Sequence, residues 1–467
     1  MLNVPQESRF FSQDLSCRVD DVLVADYMTD GELECPEKDS VYCGWRTVLL
    51  CGQGWGGSWY VALDITDPLS PKPMWETTHR AIEGESYGLG RTWGVPTIAL
   101  FNLARGTNPA APTWVALFGS GYNSDAMDAD GKQSSAYRLL NMPFLGGQPD
   151  HGNGTQGEKP HVFGVDVVTG EYLDVFHMHG LDAIVADIPV VDTDYDSFSN
   201  VAYVGGWAKG TMSRISFGAE DGVTTTSQWK NACSELFHFG DGQPITSRPS
   251  AFADPDDPRN VFLFVGTGVD KGAGIPDLQG SEGTGFAFRA WQIRDDGGEA
   301  CPTAPGGAAL STIAESGNVC VDGTEDGEGK KGFTFSNLFA DGQRLLSAPT
   351  LAVQKDRTRY LTFTSWKPEP TSCGDGTSYL YCADVTATTR CVPCGNLDGD
   401  ADGVRVSLGS SRPSSPSMAD GQIYSIDADG VVRVGNADGT GAGPGGGSPA
   451  PNAGAPRAVV FSWREVF

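Results

Sequence analysis

A unit of three strand signals recurs along the chain in a fixed order. It opens with a strand led by proline: Val95-Pro-Thr-Ile-Ala99, Ile188-Pro-Val-Val191, Arg248-Pro-Ser-Ala251 and Ala348-Pro-Thr-Leu351. An apolar strand that runs into a glycine turn follows, as in Trp114-Val-Ala-Leu-Phe-Gly-Ser-Gly121, Val201-Ala-Tyr-Val-Gly-Gly206 and Val261-Phe-Leu-Phe-Val-Gly-Thr-Gly268. A hairpin with Asp or Gly at its turn closes the unit, as in Tyr60-Val-Ala-Leu-Asp64, Gly164-Val-Asp-Val-Val-Thr-Gly170 and Tyr424-Ser-Ile-Asp-Ala-Asp-Gly430. Proline locks φ and lacks an N–H, so it suits the first residue of an edge strand. Glycine supplies the positive φ that tight turns need. Repeated small antiparallel units of this kind expose edges and apolar faces that only neighbouring units can cover. The pattern therefore predicts an all-β fold, a β-propeller of about seven irregular blades with long loop insertions. A β-sandwich with long loops is the competing architecture.

Composition supports the all-β reading. The chain holds 62 Gly and 29 Pro among 467 residues, against about 12% for the two together in an average protein. Both residues break helices, which disfavours a helical bundle or coiled coil. The 11 Trp and 22 Phe supply apolar surface for a large core. Barrels and propellers take long chains into one closed unit. Residues 1–467 are accordingly read as a single propeller domain. Residues 1–40 form a peripheral N-terminal segment, and 435–456 a flexible Gly/Pro-rich loop. The strand-like Ala458-Val-Val-Phe-Ser-Trp463 beyond that loop suits closure of the ring.

The formal net charge is −27. Nucleic acid and anionic membrane surfaces both require basic patches, so neither is expected as the main partner. No apolar run approaches the ~20 residues of a membrane span. Eleven cysteines stand at Cys17, Cys35, Cys43, Cys51, Cys233, Cys301, Cys320, Cys373, Cys382, Cys391 and Cys394. They cluster beside turns, as disulfide partners often do, and point outside the cytoplasm. The start, Met1-Leu-Asn-Val-Pro-Gln-Glu7, lacks the basic and apolar regions of a signal peptide. The expectation is a mature piece, or the C-terminal part, of a longer secreted protein.

Among candidate chemical sites, Asp192-Thr-Asp194-Tyr-Asp196-Ser-Phe198-Ser-Asn200 stands out. Oxygen side chains fall at positions 1, 3, 5 and 9 of the stretch, and the Phe198 carbonyl is available at position 7. Such alternation wraps a short loop around a hard cation, and Ca²⁺ takes 6–8 oxygens. Position 6 is Ser197, where glycine usually makes the sharp turn. The structural alternative is an Asp-rich hairpin turn. A second acidic run, Asn396-Leu-Asp398-Gly-Asp400-Ala-Asp402-Gly403, opens like a Ca²⁺ loop, but Gly409 stands where a closing Glu would be. It reads either as a second Ca²⁺ loop or as a plain polar loop. Asp125, Asp128 and Asp130 read as a solvated turn.

Cys391-Val-Pro-Cys394 lacks both a thioredoxin-like context and a second pair for zinc, so a structural disulfide is expected, local or with Cys382 or Cys373. His177 and His179 share one face of a strand, and with no further ligand in view they read as surface or packing histidines. No G-x-S-x-G elbow, P-loop or H-E-x-x-H occurs, and no catalytic residue is assigned.

A set of segments in one order resembles the C-terminal β-propeller of the PilC/PilY family, tip-associated proteins of bacterial type IV pili. They are Trp45-Arg-Thr-Val-Leu-Leu50, Tyr60-Val-Ala-Leu-Asp-Ile-Thr-Asp-Pro68 with Met74-Trp-Glu76, and Leu117-Phe-Gly-Ser-Gly-Tyr-Asn123. Gly242-Gln-Pro-Ile-Thr-Ser-Arg-Pro249, Phe264-Val-Gly-Thr-Gly268, Thr377-Ser-Tyr-Leu-Tyr381 and Ser462-Trp-Arg-Glu465 complete the set. The resemblance implies a quinoprotein-like propeller with a Ca²⁺ loop at Asp192, Asp194, Asp196, the Phe198 carbonyl and Asn200. It also implies a non-enzymatic role in pilus assembly, in the balance of extension and retraction, and in surface adhesion. The implied partners are major and minor pilins at the pilus tip, with a host or abiotic surface ligand, and the implied place is the cell surface after export through the periplasm. Two rival readings stand beside it. One is a dehydrogenase propeller holding pyrroloquinoline quinone with Ca²⁺, and the other is a sugar-binding or general adhesive propeller.

Overall fold

The computed structural model describes residues 15–121, 160–253, 261–268, 290–295, 332–334, 343–353, 359–367, 376–384, 392–393, 405–409, 415–419, 422–426 and 432–436, apart from short gaps. Every regular element among them is a β-strand, save one 3-10 turn at Thr226–Gln228. No helix among the described residues is long and apolar enough to cross a membrane. The chain divides into two compact units, parting after His238.

The first unit contains three four-stranded sheets. In chain order come β1 (Arg18–Val24), a short hairpin β2 (Tyr27–Thr29) and β3 (Glu32–Glu34), then β4 (Gly44–Gly52), β5 (Tyr60–Asp64) and β6 (Lys72–Thr77). Strands β1-β4-β5-β6 pair antiparallel as one sheet. A second hairpin, β7 (Arg80–Ile82) and β8 (Glu85–Tyr87), precedes the next sheet. That sheet comprises β9 (Thr97–Leu103), β10 (Ala111–Gly119), β11 (His161–Asp166) and β12 (Tyr172–His177). The third comprises β13 (Val190–Val191), β14 (Val201–Gly205), β15 (Thr211–Ser216) and β16 (Lys230–His238).

The second unit repeats the plan. Strands β17 (Ser250–Ala253), β18 (Val261–Gly266), β19 (Ala290–Asp295) and β20 (Gly332–Thr334) form one sheet. Strands β21 (Thr350–Val353), β22 (Arg359–Lys367), β23 (Thr377–Asp384) and β24 (Val392–Pro393) form the next, where β25 (Arg405–Gly409) also pairs with β23. Strands β26 (Ser417–Ala419), β27 (Gln422–Ile426) and β28 (Val432–Asn436) form the last described sheet. The terminal strand expected at Ala458–Trp463 and the Gly/Pro-rich stretch from 437 onward lie outside the described residues.

Each proline-led signal lands where its chemistry fits. Pro96, Pro189, Pro249 and Pro349 immediately precede β9, β13, β17 and β21. Each of these is the first and edge strand of its sheet, so the missing N–H breaks no ladder. The second strands β10, β14 and β18 are buried over most of their length, which explains their continuous rather than alternating apolar runs.

Among the described residues, two clusters contribute to the core of the first unit. Phe101, Phe176, Phe217 and Trp229 meet in one, with Phe101 centred 4.6 Å from Phe217 and 5.1 Å from Trp229. Tyr60, Phe118 and Phe163 anchor the other. The β11–β12 turn is set by Asp166, whose carboxylate accepts from Val168 N and Thr169 N at 2.9 and 3.0 Å. Gly170 completes that turn at φ 73, and a Cβ there would lie 2.6 Å from the Trp75 ring. The Trp75 indole N–H donates to Val167 O at 2.7 Å across the same contact. Cys17 and Cys51 form a disulfide. The β1–β4 register sets Arg18 opposite Leu50, so the two cysteines are the next cross-strand pair. Cys382 is also disulfide-bonded, whereas Cys391 and Cys394 lie outside the described residues.

Candidate metal centre

The loop from Asp192 to Asn200 joins β13 to β14. Its base is fixed by the sheet: Asn200 N donates to Val191 O at 3.0 Å, and Phe217 N donates to Asn200 O at 2.9 Å. Ser199 N donates to Leu100 O of β9 at 2.8 Å, tying the loop to the neighbouring sheet of the same unit. The loop is thus mounted on two buried strands while its tip, Asp194 to Ser197, is exposed.

Within the loop the aspartates act first on the backbone. Asp192 Oδ1 accepts from Asp194 N (3.2 Å) and Tyr195 N (2.7 Å), and its Oδ2 accepts from Ser197 N at 2.8 Å. Asp194 Oδ1 accepts from Asp196 N at 3.4 Å, and Asp196 Oδ1 accepts from Phe198 N at 2.7 Å. Each carboxylate reaches the N–H two residues on, a ladder of Asx-turns. The alternation therefore has a structural use as well as a chemical one. The chain bends tightly enough to put Tyr195 at φ 62 and Ser197 at φ 78, conformations that cost an L-residue energy. Ser197 stands at the sixth position, where a Ca²⁺ loop prefers glycine, and it takes up the glycine-like backbone.

The result is convergence of charge. Carboxylate oxygens of Asp192, Asp194 and Asp196 lie within 4.8 Å of one another. Desolvation, the side-chain hydrogen bond with Asp192 and the charge of Asp196 push the Asp194 carboxyl up to about 6. Like charges this close disfavour joint ionisation unless a cation balances them. Asn200 is buried. Its Oδ1 accepts from Thr193 N at 2.6 Å and its Nδ2 donates to Asp194 Oδ2 at 3.4 Å. It braces the loop from beneath, a role that its place at position 9 did not announce. Phe198 is half-buried at the loop's return. This donor set, hard carboxylate oxygens converging on one turn, fits a hard divalent cation.

The second acidic run, Asp398, Asp400 and Asp402, lies outside the described residues, as do Asp125, Asp128 and Asp130. His177 ends β12, and its cross-strand partner is His161 of β11; His179 lies outside the described residues.

No protein-family model matches the chain. Among curated proteins it aligns with a type IV pilus biogenesis factor PilY1 homolog of Xylella fastidiosa (strain Temecula1 / ATCC 700964), 25% identical over 324 residues, which is 64% of this chain and 21% of the relative. A further alignment with a protein of that name and organism is 35% identical over 83 residues, 17% of this chain and 5% of that protein. The chain thus spans about a fifth of the length of the first of these curated relatives. Among solved structures, the Pseudomonas aeruginosa PilY1 C-terminal domain superposes with a TM-score of 0.56 at 16% identity, covering 90% of this chain and 84% of that one. The sequence resemblance to PilY C-terminal domains stands, and the fold is that domain's β-propeller type.

Proposed function

We propose that this chain is a propeller module of a type IV pilus biogenesis factor, acting at the pilus tip without catalysis. The observation that carries the proposal is the alignment over 64% of the chain with a protein named for that role. In this reading residues 1–467 work as one propeller, exported through the periplasm to the cell surface. The module meets major or minor pilins, shifts the balance of pilus extension and retraction, and presents a surface for host or abiotic ligands.

The Asp192–Asn200 loop supplies the regulated element. Asp192, Asp194 and Asp196 would hold Ca²⁺, with the Phe198 carbonyl and Asn200 as the further ligands; Asp398, Asp400 and Asp402 are a second candidate set. The ion would supply charge neutralisation. Without it, the converging carboxylates repel and the strained turn is held only by its Asx hydrogen bonds. With it, those carboxylates become ligands and the exposed tip is ordered. Hard oxygen donors on a short loop favour Ca²⁺ over softer cations.

Two measurements test the two parts separately. Calorimetric titration of Ca²⁺ into the chain and into Asp194→Ala plus Asp196→Ala tests the loop: binding lost in the double variant supports it, and equal affinity refutes it. Shearing pili from cells that make the full-length protein tests the role. Recovery of the protein with the pilin fraction is expected, and its uniform loss from that fraction would remove the pilus reading.

A further inference from the structure

The geometry points to a transition-metal site on the paired imidazoles of His161 and His177, in which a square or octahedral divalent cation such as Cu²⁺ or Ni²⁺ bridges His161 Nε2 and His177 Nδ1. This site is separate from the aspartate loop and independent of the pilus role.

The two histidines are direct cross-strand partners at one end of the β11–β12 ladder. Directly opposed residues bring their Cβ atoms to about 5 Å, close enough for two imidazoles to share one ligand. Here the rings stand with centroids 4.7 Å apart and planes inclined by 64°. His161 Nε2 and His177 Nδ1 are 3.0 Å apart. The backbone beneath them is pinned: His161 N donates to Ser120 Oγ at 3.1 Å, and Ser120 N donates to His161 O at 2.7 Å. His161 is buried and His177 half-buried, so an ion would reach the pair from the His177 side.

The donors are imidazole nitrogens, and their separation lets both reach one ion. With metal–nitrogen bonds of about 2.0–2.1 Å, two nitrogens 3.0 Å apart subtend an angle of about 94° at the metal. That is a cis angle of a square or octahedral site. Imidazole suits copper, nickel and zinc, and the affinity order among divalent ions peaks at Cu²⁺. Chemically, one ring now donates its N–H to the other. For both rings to ligate, the donor ring must carry its proton on its other nitrogen, and each ring then turns a lone pair to the ion. Waters or a partner's side chain would fill the remaining positions.

The test uses the whole chain freed of any affinity tag and titrated with CuCl₂. One equivalent of Cu²⁺ should bind, with nitrogen hyperfine structure from two imidazoles in the electron paramagnetic resonance spectrum. His177→Gln, at the half-buried partner, should weaken binding by about tenfold or more, since loss of an outer-shell partner alone costs about 10–100-fold. Asp194→Ala plus Asp196→Ala should leave it unchanged. Three results would overturn the site: wild-type affinity in His177→Gln, loss of Cu²⁺ in the aspartate variant, or a thiolate charge-transfer band without the two-nitrogen signal. The spectrum is read on the unaltered chain, so the two-nitrogen signal does not depend on how any variant folds.

Discussion

Replacing Ser197 by glycine would report directly on the strain stored in the aspartate loop. Ser197 holds φ 78, where a Cβ costs an L-residue about 1–2 kcal/mol. Glycine escapes that cost but frees the unfolded chain, an offset of about 0.5–1 kcal/mol. The net gain for Ser197→Gly is therefore about 0.5–1 kcal/mol. Little else changes, because the residue is exposed and glycine keeps the N–H that donates to Asp192 Oδ2 at 2.8 Å. If cation binding requires the ordered loop, the same free energy enters the dissociation constant as about a two- to fivefold tightening. The assay is paired: thermal unfolding in EDTA and calorimetric titration with Ca²⁺, on wild type, Ser197→Gly and Ser197→Ala. Alanine keeps the Cβ and should track the wild type. Ser197→Gly indistinguishable from Ser197→Ala in both measurements would refute the strain argument.

Four further outcomes are expected. The Asp194 carboxyl, pushed up to about 6, binds its proton more tightly in the folded chain than in the unfolded one. Its contribution to the cation-free chain is full below about pH 4 and is lost as pH rises through about 6. A stability of the cation-free wild type that falls from pH 5 to pH 7 relative to that of Asp194→Asn would agree; identical profiles would not. Cation binding needs the ionised form, so Ca²⁺ affinity should fall about tenfold from pH 7 to pH 5, read by calorimetry at each pH. Phe101→Ala empties the centre of a buried aromatic cluster and should cost about 3–5 kcal/mol in denaturant unfolding. The Cys17–Cys51 bridge spans a separation of 34 residues, and replacing both cysteines by alanine should lower stability by about 4 kcal/mol on the chain-entropy account.

Much of the fold was legible because its signals are local. Proline fixes its own φ, so Pro96, Pro189, Pro249 and Pro349 mark strand starts wherever they fall. The buried second strands announce themselves as unbroken apolar runs. Asp192, Asp194 and Asp196 stood out for a similar reason, since spacing by two residues is both how a loop gathers ligands and how Asx-turns repeat. What the spacing could not separate was those two uses, and the structure has each carboxylate serving the backbone while converging with the others.

The histidines and cysteines illustrate the other side. His177 reads in sequence as a partner of His179, two residues on along one strand face. In space its imidazole meets that of His161, because the Asp166–Gly170 turn folds β12 back on β11 and the bulge at Gly164/Val165 sets the register that aligns them. Eleven cysteines declare disulfides without their pairing; the β1–β4 register decides that Cys17 meets Cys51. Asn200 stands at the ninth position of the spacing, and only the structure shows that it is buried and accepts from Thr193 N beneath the loop. Sequence by itself determined the strands, their turns and the alternating aspartates, all properties of residues a few positions apart. Which distant residues meet was left to tertiary structure, because register is fixed by the packing of whole strands, and no single residue's conformational preference carries that information.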